Sequence, residues 1–149
     1  VAGFKDKLKM HGAMTAILTK GDGQVEVTHK DNMIVAVGFD FIADAIGNAV
    51  RPAAMGYINV GTGTTAPASS DGALVTSLLR KAAVYAHTAG TKTFTFTVTF
   101  NPGEATGAIT EAGVFNASAG GTMLDRVTFP VVNKGADDTL TVVFTFTMT

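Results

Sequence analysis

Two stretches of strict alternation constrain this chain more than anything else in it. Residues 93–100 read Thr-Phe-Thr-Phe-Thr-Val-Thr-Phe, and residues 139–149 read Thr-Leu-Thr-Val-Val-Phe-Thr-Phe-Thr-Met-Thr. On a helix a period of two would scatter the apolar side chains around the circumference, whereas on a strand it sorts them onto one face. Phe94, Phe96, Val98 and Phe100 therefore share a core face, as do Leu140, Val142, Phe144, Phe146 and Met148, and the odd-numbered threonines point away. One apolar face and one hydroxyl face suit antiparallel sheet, because parallel sheet is covered on both sides and reads as a continuous apolar run. The 22 threonines of the chain add to this bias, since a β-branched side chain is stiff in a helix and fits a pleated surface.

Further strands are expected at 11–19 and 25–29, joined across Lys20-Gly21-Asp22-Gly23 as a hairpin. Others are expected at 33–37, 57–60, 82–87, 108–116 and 122–129, separated by turn residues such as Asn101-Pro102-Gly103 and Ala119-Gly120-Gly121. One short helix is expected near 39–49. Asp40 would cap it, Phe39, Ile42, Ala45, Ile46 and Ala49 form one stripe, and Gly47-Asn48 with Pro52 beyond mark its end. The fold class that follows is all-β, an antiparallel β-sandwich, jelly-roll-like, in a single domain over 1–149. An N-terminal arm of about residues 1–8, with Phe4 and Leu8 as its sizeable apolar contacts, would precede the first strand. Residues 61–73 form a long loop of small residues, a length that in compact domains often marks a function or a contact.

Composition narrows the function classes. Eleven Lys and Arg against twelve Asp and Glu leave a net charge of −1, without the basic excess that phosphate neutralisation needs, so no nucleic-acid partner is expected. Cysteine is absent, which excludes disulfides, thiolate metal sites and a cysteine nucleophile. No apolar run approaches the roughly 18 residues of a membrane span, so no membrane partner is expected. Residues 1–10 interleave charges with apolar residues and do not read as a secretory signal.

No catalytic, cofactor or metal residue is assigned. Gly61-Thr62-Gly63-Thr64-Thr65-Ala66 fits the spacing of a dinucleotide-binding turn, but Pro67, Ser69, Ser70, Asp71 and Gly72 follow where a helix would have to start. Nor does an acidic residue stand about 20 positions on, where Arg80-Lys81 is found. His11, His29 and His87 fall in or beside different strands and form no ligand pair. Asp137-Asp138 reads as a turn into a strand, lacking the alternating oxygen ligands of a calcium loop. Ser69, Ser70, Ser77 and Ser118 lie outside any nucleophile motif, and Glu104 and Glu111 have no separation that sequence can define. With no Trp and only Tyr57 and Tyr85, aromatic platforms for sugar are scarce.

Several segments taken together resemble a known group. Ile58-Asn59-Val60-Gly61-Thr62-Gly63-Thr64-Thr65-Ala66-Pro67, Ala73-Leu74 and Arg80-Lys81 open the series. Residues 103–116, with Glu111-Ala112-Gly113-Val114-Phe115-Asn116, continue it, followed by Gly121-Thr122-Met123-Leu124-Asp125-Arg126, Asn133-Lys134 and Asp138-Thr139-Leu140-Thr141. Over roughly residues 57–145 this is similar to bacteriophage virion structural proteins. Met10-His11-Gly12 and Asp31-Asn32-Met33 extend the likeness more loosely. The resemblance implies a structural protein of the virion, without catalytic or cofactor residues. Small β-sandwiches in that group serve as capsid decoration (cement) proteins, with the major capsid protein and copies of themselves as partners; others are tail-fibre or baseplate components. No collagen-like or coiled-coil shaft is present, which suits the cement role better. An enzyme or sugar-binding module is the third class, and it would require a pocket with converging polar groups.

Overall fold

The alternating segments form strands in the computed structural model, which describes residues 7–149. The expected arm falls largely on residues 1–6, outside the described residues. In chain order the elements are β1 (Met10–Thr19), β2 (Val25–Asp31), β3 (Met33–Ile34), α1 (Ala36–Gly47), β4 (Tyr57–Gly61) and β5 (Ser77–Ala82). They continue with β6 (Val84–His87), β7 (Thr93–Phe100), β8 (Gly107–Phe115), β9 (Met123–Lys134) and β10 (Thr139–Met148). Two five-stranded sheets result, β2-β1-β10-β7-β6 and β3-β9-β8-β4-β5, with every pairing antiparallel. We call them the first and second sheets. Early strands pair with late ones in nested order, β1 with β10, β3 with β9 and β4 with β8, which gives the sandwich its jelly-roll character. The chain changes sheet over a single residue at Asn32 and again at Ala83.

Alternation decides what each sheet buries. Phe96, Val98, Phe100, Leu140, Val142, Phe144 and Phe146 all lie inside, facing Ile58, Val60, Ile109, Val114 and Val127 of the second sheet. Phe94 and Phe146 stack with centroids 5.1 Å apart, and Phe96 meets Phe146 edge-on at 6.2 Å, an offset geometry that aromatic quadrupoles favour. On the outside the threonines pair across strands, Thr93 with Thr147 and Thr99 with Thr141, each at 3.1 Å.

Four expectations are corrected. The helix starts earlier than expected, at Ala36, and Asp40 does not cap it. Val35 holds the cap position without a side-chain bond, because tertiary contacts anchor it instead: its N–H donates to Leu124 O and the next amide to Ser69 O. The stripe is also rotated. Phe39 and Ile46 are exposed, while Gly38 is buried with no room for a Cβ beside the Leu124 carbonyl, so the helix lies on β9 through its glycine. The strand expected at 33–37 ends at Ile34, where that helix cap begins. Finally, 82–87 is not one strand. Ala83 is the crossover between sheets, and the preceding segment, with its exposed Ser77 and Leu78, is the edge strand β5.

The parity assignment carries a test. Phe96→Ala should cost about 3–5 kcal/mol, the range for emptying a buried aromatic site, and Thr97→Ala no more than about 0.5 kcal/mol. Urea denaturation midpoints of the two variants check this. Equal losses would count against the parity assignment, and a larger loss at Thr97 would reverse it.

Candidate functional site

The side chains with chemistry gather on the outer face of the second sheet, beneath residues 62–76. A register shift between Ile109 and Glu111 starts the arrangement. It breaks the alternation of β8, so Ile109 faces the core while Thr110 and Glu111 both reach Gly63. Pro130, which has no amide hydrogen to lose, sits in the unpaired stretch of β9 opposite.

Glu111 and Arg126 are both fully buried. Arg126 donates to Glu111 Oε2 from Nη2 at 2.8 Å and from Nε at 3.1 Å. It also donates to Asp71 Oδ2 at 3.0 Å and to the Thr65 carbonyl at 2.8 Å. Glu111 accepts three backbone amides of the loop as well: Gly63 at 3.0 Å, Val75 at 3.0 Å and Thr76 at 2.7 Å. Burial pushes the Glu111 carboxyl up, but these amides and Arg126 outweigh it and hold the group below the usual carboxylate range. A Cβ on Gly61 would lie 2.6 Å from Glu111 Oε1, and one on Gly63 2.5 Å from it. The glycines that suggested a phosphate-binding turn are there to let the backbone close on a carboxylate. Leu74 completes the cover, packing with Val35, Phe115 and Met123 in a second small core.

The other charged residues of the family-like segments are engaged in the same manner. Arg80 lies over the Phe115 ring at 3.7 Å and donates to the carbonyls of Ala117 and Gly120. Lys81 bonds Glu104 at 2.6 Å and Thr99 O at 2.9 Å. Lys134 donates to Asn101 O at 3.0 Å, and Asp138 accepts the amides of Gly135 and Gly21, tying two turns together. Glu104 and Glu111 therefore serve different partners and do not form a carboxylate pair. Ser77 donates to Asn59 at 2.9 Å. His11 faces Asp31 at 3.3 Å, His29 bonds Thr15 and His87 bonds Thr93 O. Among the described residues no three His, Asp or Glu side chains are grouped to hold a metal ion.

Two features escaped the sequence reading. Asp125 is fully buried in the sandwich interior, accepting the Val114 amide at 3.1 Å and the Asn32 side-chain amide. Asn32 also bonds the Gly12 carbonyl through its backbone, so this polar pair joins the two sheets at the crossover. Burial pushes the Asp125 carboxyl up to about 7, against the pull of its Asn32 and Val114 bonds. The second feature is a cleft of about 480 Å³ between α1 and the first sheet, lined by Phe41, Ile42, Met55, Tyr85, Phe94 and Leu124 among others. Its lining is apolar apart from the Arg51 side chain and the Tyr85 hydroxyl. Comparison with protein-family models, with curated proteins and with solved structures finds no match for this chain.

The buried pair predicts a coupling. Arg126→Met strands Glu111 in the interior and should cost about 3–5 kcal/mol. Adding Glu111→Gln should cost less than the sum of the two single changes, as a denaturation double-mutant cycle would show. Additive losses would mean the two side chains act independently.

A second expectation concerns pH. The folded value of Asp125 lies above its ordinary 3.8, so its contribution is full below about 4 and is lost as pH rises through about 7. Glu111 is held low, and its contribution is present above the ordinary carboxylate range and lost in stronger acid. Stability should therefore peak in mild acid and fall towards neutrality. Asp125→Asn should abolish that fall, because an amide does not titrate and supplies a donor for Asn32 Oδ1, a buried acceptor without a partner. Denaturation midpoints across a pH series would reveal an unchanged slope in the variant if another group were responsible.

Proposed function

We propose that this chain is a bacteriophage virion structural protein, and within that class a capsid decoration protein that binds over joints between major capsid protein subunits. The observation that carries the reading is how the family-like segments use their charges. Arg80, Lys81, Glu104, Glu111, Asp125, Arg126, Lys134 and Asp138 each end in an internal tie. A set of residues that builds an active site leaves a nucleophile, base or ligand facing a substrate. Here the same residues brace turns and a loop, as a rigid building block requires. The resemblance to virion proteins is thus carried by architecture, and the function belongs to the surface that architecture presents.

The role needs no catalysis. A protein that binds only the assembled shell stabilises it by mass action, and modest contacts repeated over many sites become large in total. Assembly would take place in the bacterial host cytoplasm, and the mature location is the virion.

Abundance tests this. Purified particles on a denaturing gel should show the chain in copy numbers comparable with the major capsid protein. Heads carrying it should open at a higher temperature than heads without it. A copy number far below the capsid protein, with an unchanged opening temperature, would overturn the cement role and favour a tail-fibre or baseplate component.

A further inference from the structure

The two outer faces of the sandwich are finished differently. Residues 62–76 close over the second sheet, whereas among the described residues no loop or helix covers the first. Register fixes what that open face presents. Its central row runs His29, Thr15, Val143, Thr97 and Val84 across all five strands. Along β7 and β10 the outward positions are threonines, with Val143 the one exception. Towards the two edges the face becomes apolar, where Val27 is 65% and Val84 71% exposed. No outward strand position carries Lys, Arg or Glu. The titratable groups on the face are His11, His29 and Asp31, all on the β1–β2 side, with His11 and Asp31 already paired.

We propose that this face is a two-fold interface on which a second copy of this chain docks, sheet against sheet. Chemistry selects the partner. A two-fold contact sets a patch against itself, so a patch of one charge sign repels its own copy, whereas a hydroxyl both donates and accepts and matches another hydroxyl. Interleaved valines, isoleucine and threonine methyl groups supply apolar contact without burying an unpaired charge. Size agrees. Five strands about 4.8 Å apart, averaging about eight residues of about 3.3 Å each, present about 600 Å². Two copies would bury about 1,200 Å², the lower bound for a specific interface, which fits a reversible dimer. This deepens the assembly role proposed above and rests on it for its purpose, while the dimer itself is a property of the isolated chain.

Analytical ultracentrifugation of the purified protein over a dilution series tests it. The wild-type chain should show a dimer that dissociates on dilution. Val143→Arg, at the centre of the face, should weaken it by more than about thirtyfold, the effect of losing a central anchor. Ser70→Arg, on the exposed loop over the other sheet, should leave it unchanged. If circular dichroism shows that Val143→Arg is unfolded, Thr97→Arg takes its place, since that side chain already points outwards. A monomer at every concentration, or a dimer that the face variants do not weaken, would overturn the proposal. A monomer still found on heads at capsid-like copy number would overturn the interface alone and leave the cement role standing.

Discussion

Arg126 is enclosed by protein on every side, and a guanidinium in that position is tolerable only if its charge and its donors are all met. Removing two ions from water costs several kcal/mol each, and their mutual attraction offsets this only with good geometry and further hydrogen bonds. Here the geometry is a forked contact with Glu111, reinforced by Asp71 and the Thr65 carbonyl. Glu111 in turn takes three loop amides, groups that would otherwise be buried without partners. The pair and the loop therefore need each other: without the loop the ions lack ligands, and without the ions the loop lacks a reason to lie flat. Leu74 and the second small core depend on that closure, and so do the glycines at 61 and 63.

A similar logic operates inside the sandwich. The chain leaves the first sheet and enters the second at Asn32, a passage too short to satisfy its own polar groups. Asn32 places its two donors by bridging the Gly12 carbonyl on one side and Asp125 on the other, while its Oδ1 stays without a partner. Burial carries the Asp125 proton into the neutral range, because its bonds to Asn32 and the Val114 amide only partly oppose it. One carboxyl is held low and the other pushed up, and what separates them is their donors: Glu111 takes three loop amides and Arg126, whereas Asp125 has only Asn32 and the Val114 amide against its burial.

How much of this was legible in the sequence varied with range. Phe94 to Phe100 and Leu140 to Met148 announced their own strands and faces, since a period of two leaves no other economical arrangement. Helix α1 was legible as an element but not in its orientation. Gly38 carries no apolar signal, yet it sets which side packs, because contact with a carbonyl selects for the smallest residue. The edge strand β5 was missed because an edge with exposed Ser77 and Leu78 has little alternation to display. Glu111, Arg126 and Asp125 stood out only as members of the family-like segments. The roles of Glu111 and Arg126 depend on a register shift and on a partner loop 35 to 61 residues away, and that of Asp125 on Asn32, 93 residues away, which no local pattern encodes. A charged Asp-Arg step between Leu124 and Val127 was the available hint, since adjacent charges within an apolar strand face opposite sides and each must find a partner.

What unites the fold and the proposed role is the conversion of charged residues into braces, leaving a threonine face whose titratable groups are confined to its β1–β2 side and a largely apolar cleft as open surfaces. The central claim is that residues 62–76 are strapped to the sheet by Glu111 and Arg126. Amide hydrogen exchange measures it most directly. The amides of Gly63, Val75 and Thr76 should exchange as slowly as that of Val114 in the core, and Glu111→Gln should release all three together while Val114 stays protected. Rapid exchange of those three amides in the wild-type protein, at the rate of an unbonded exposed loop, would contradict it.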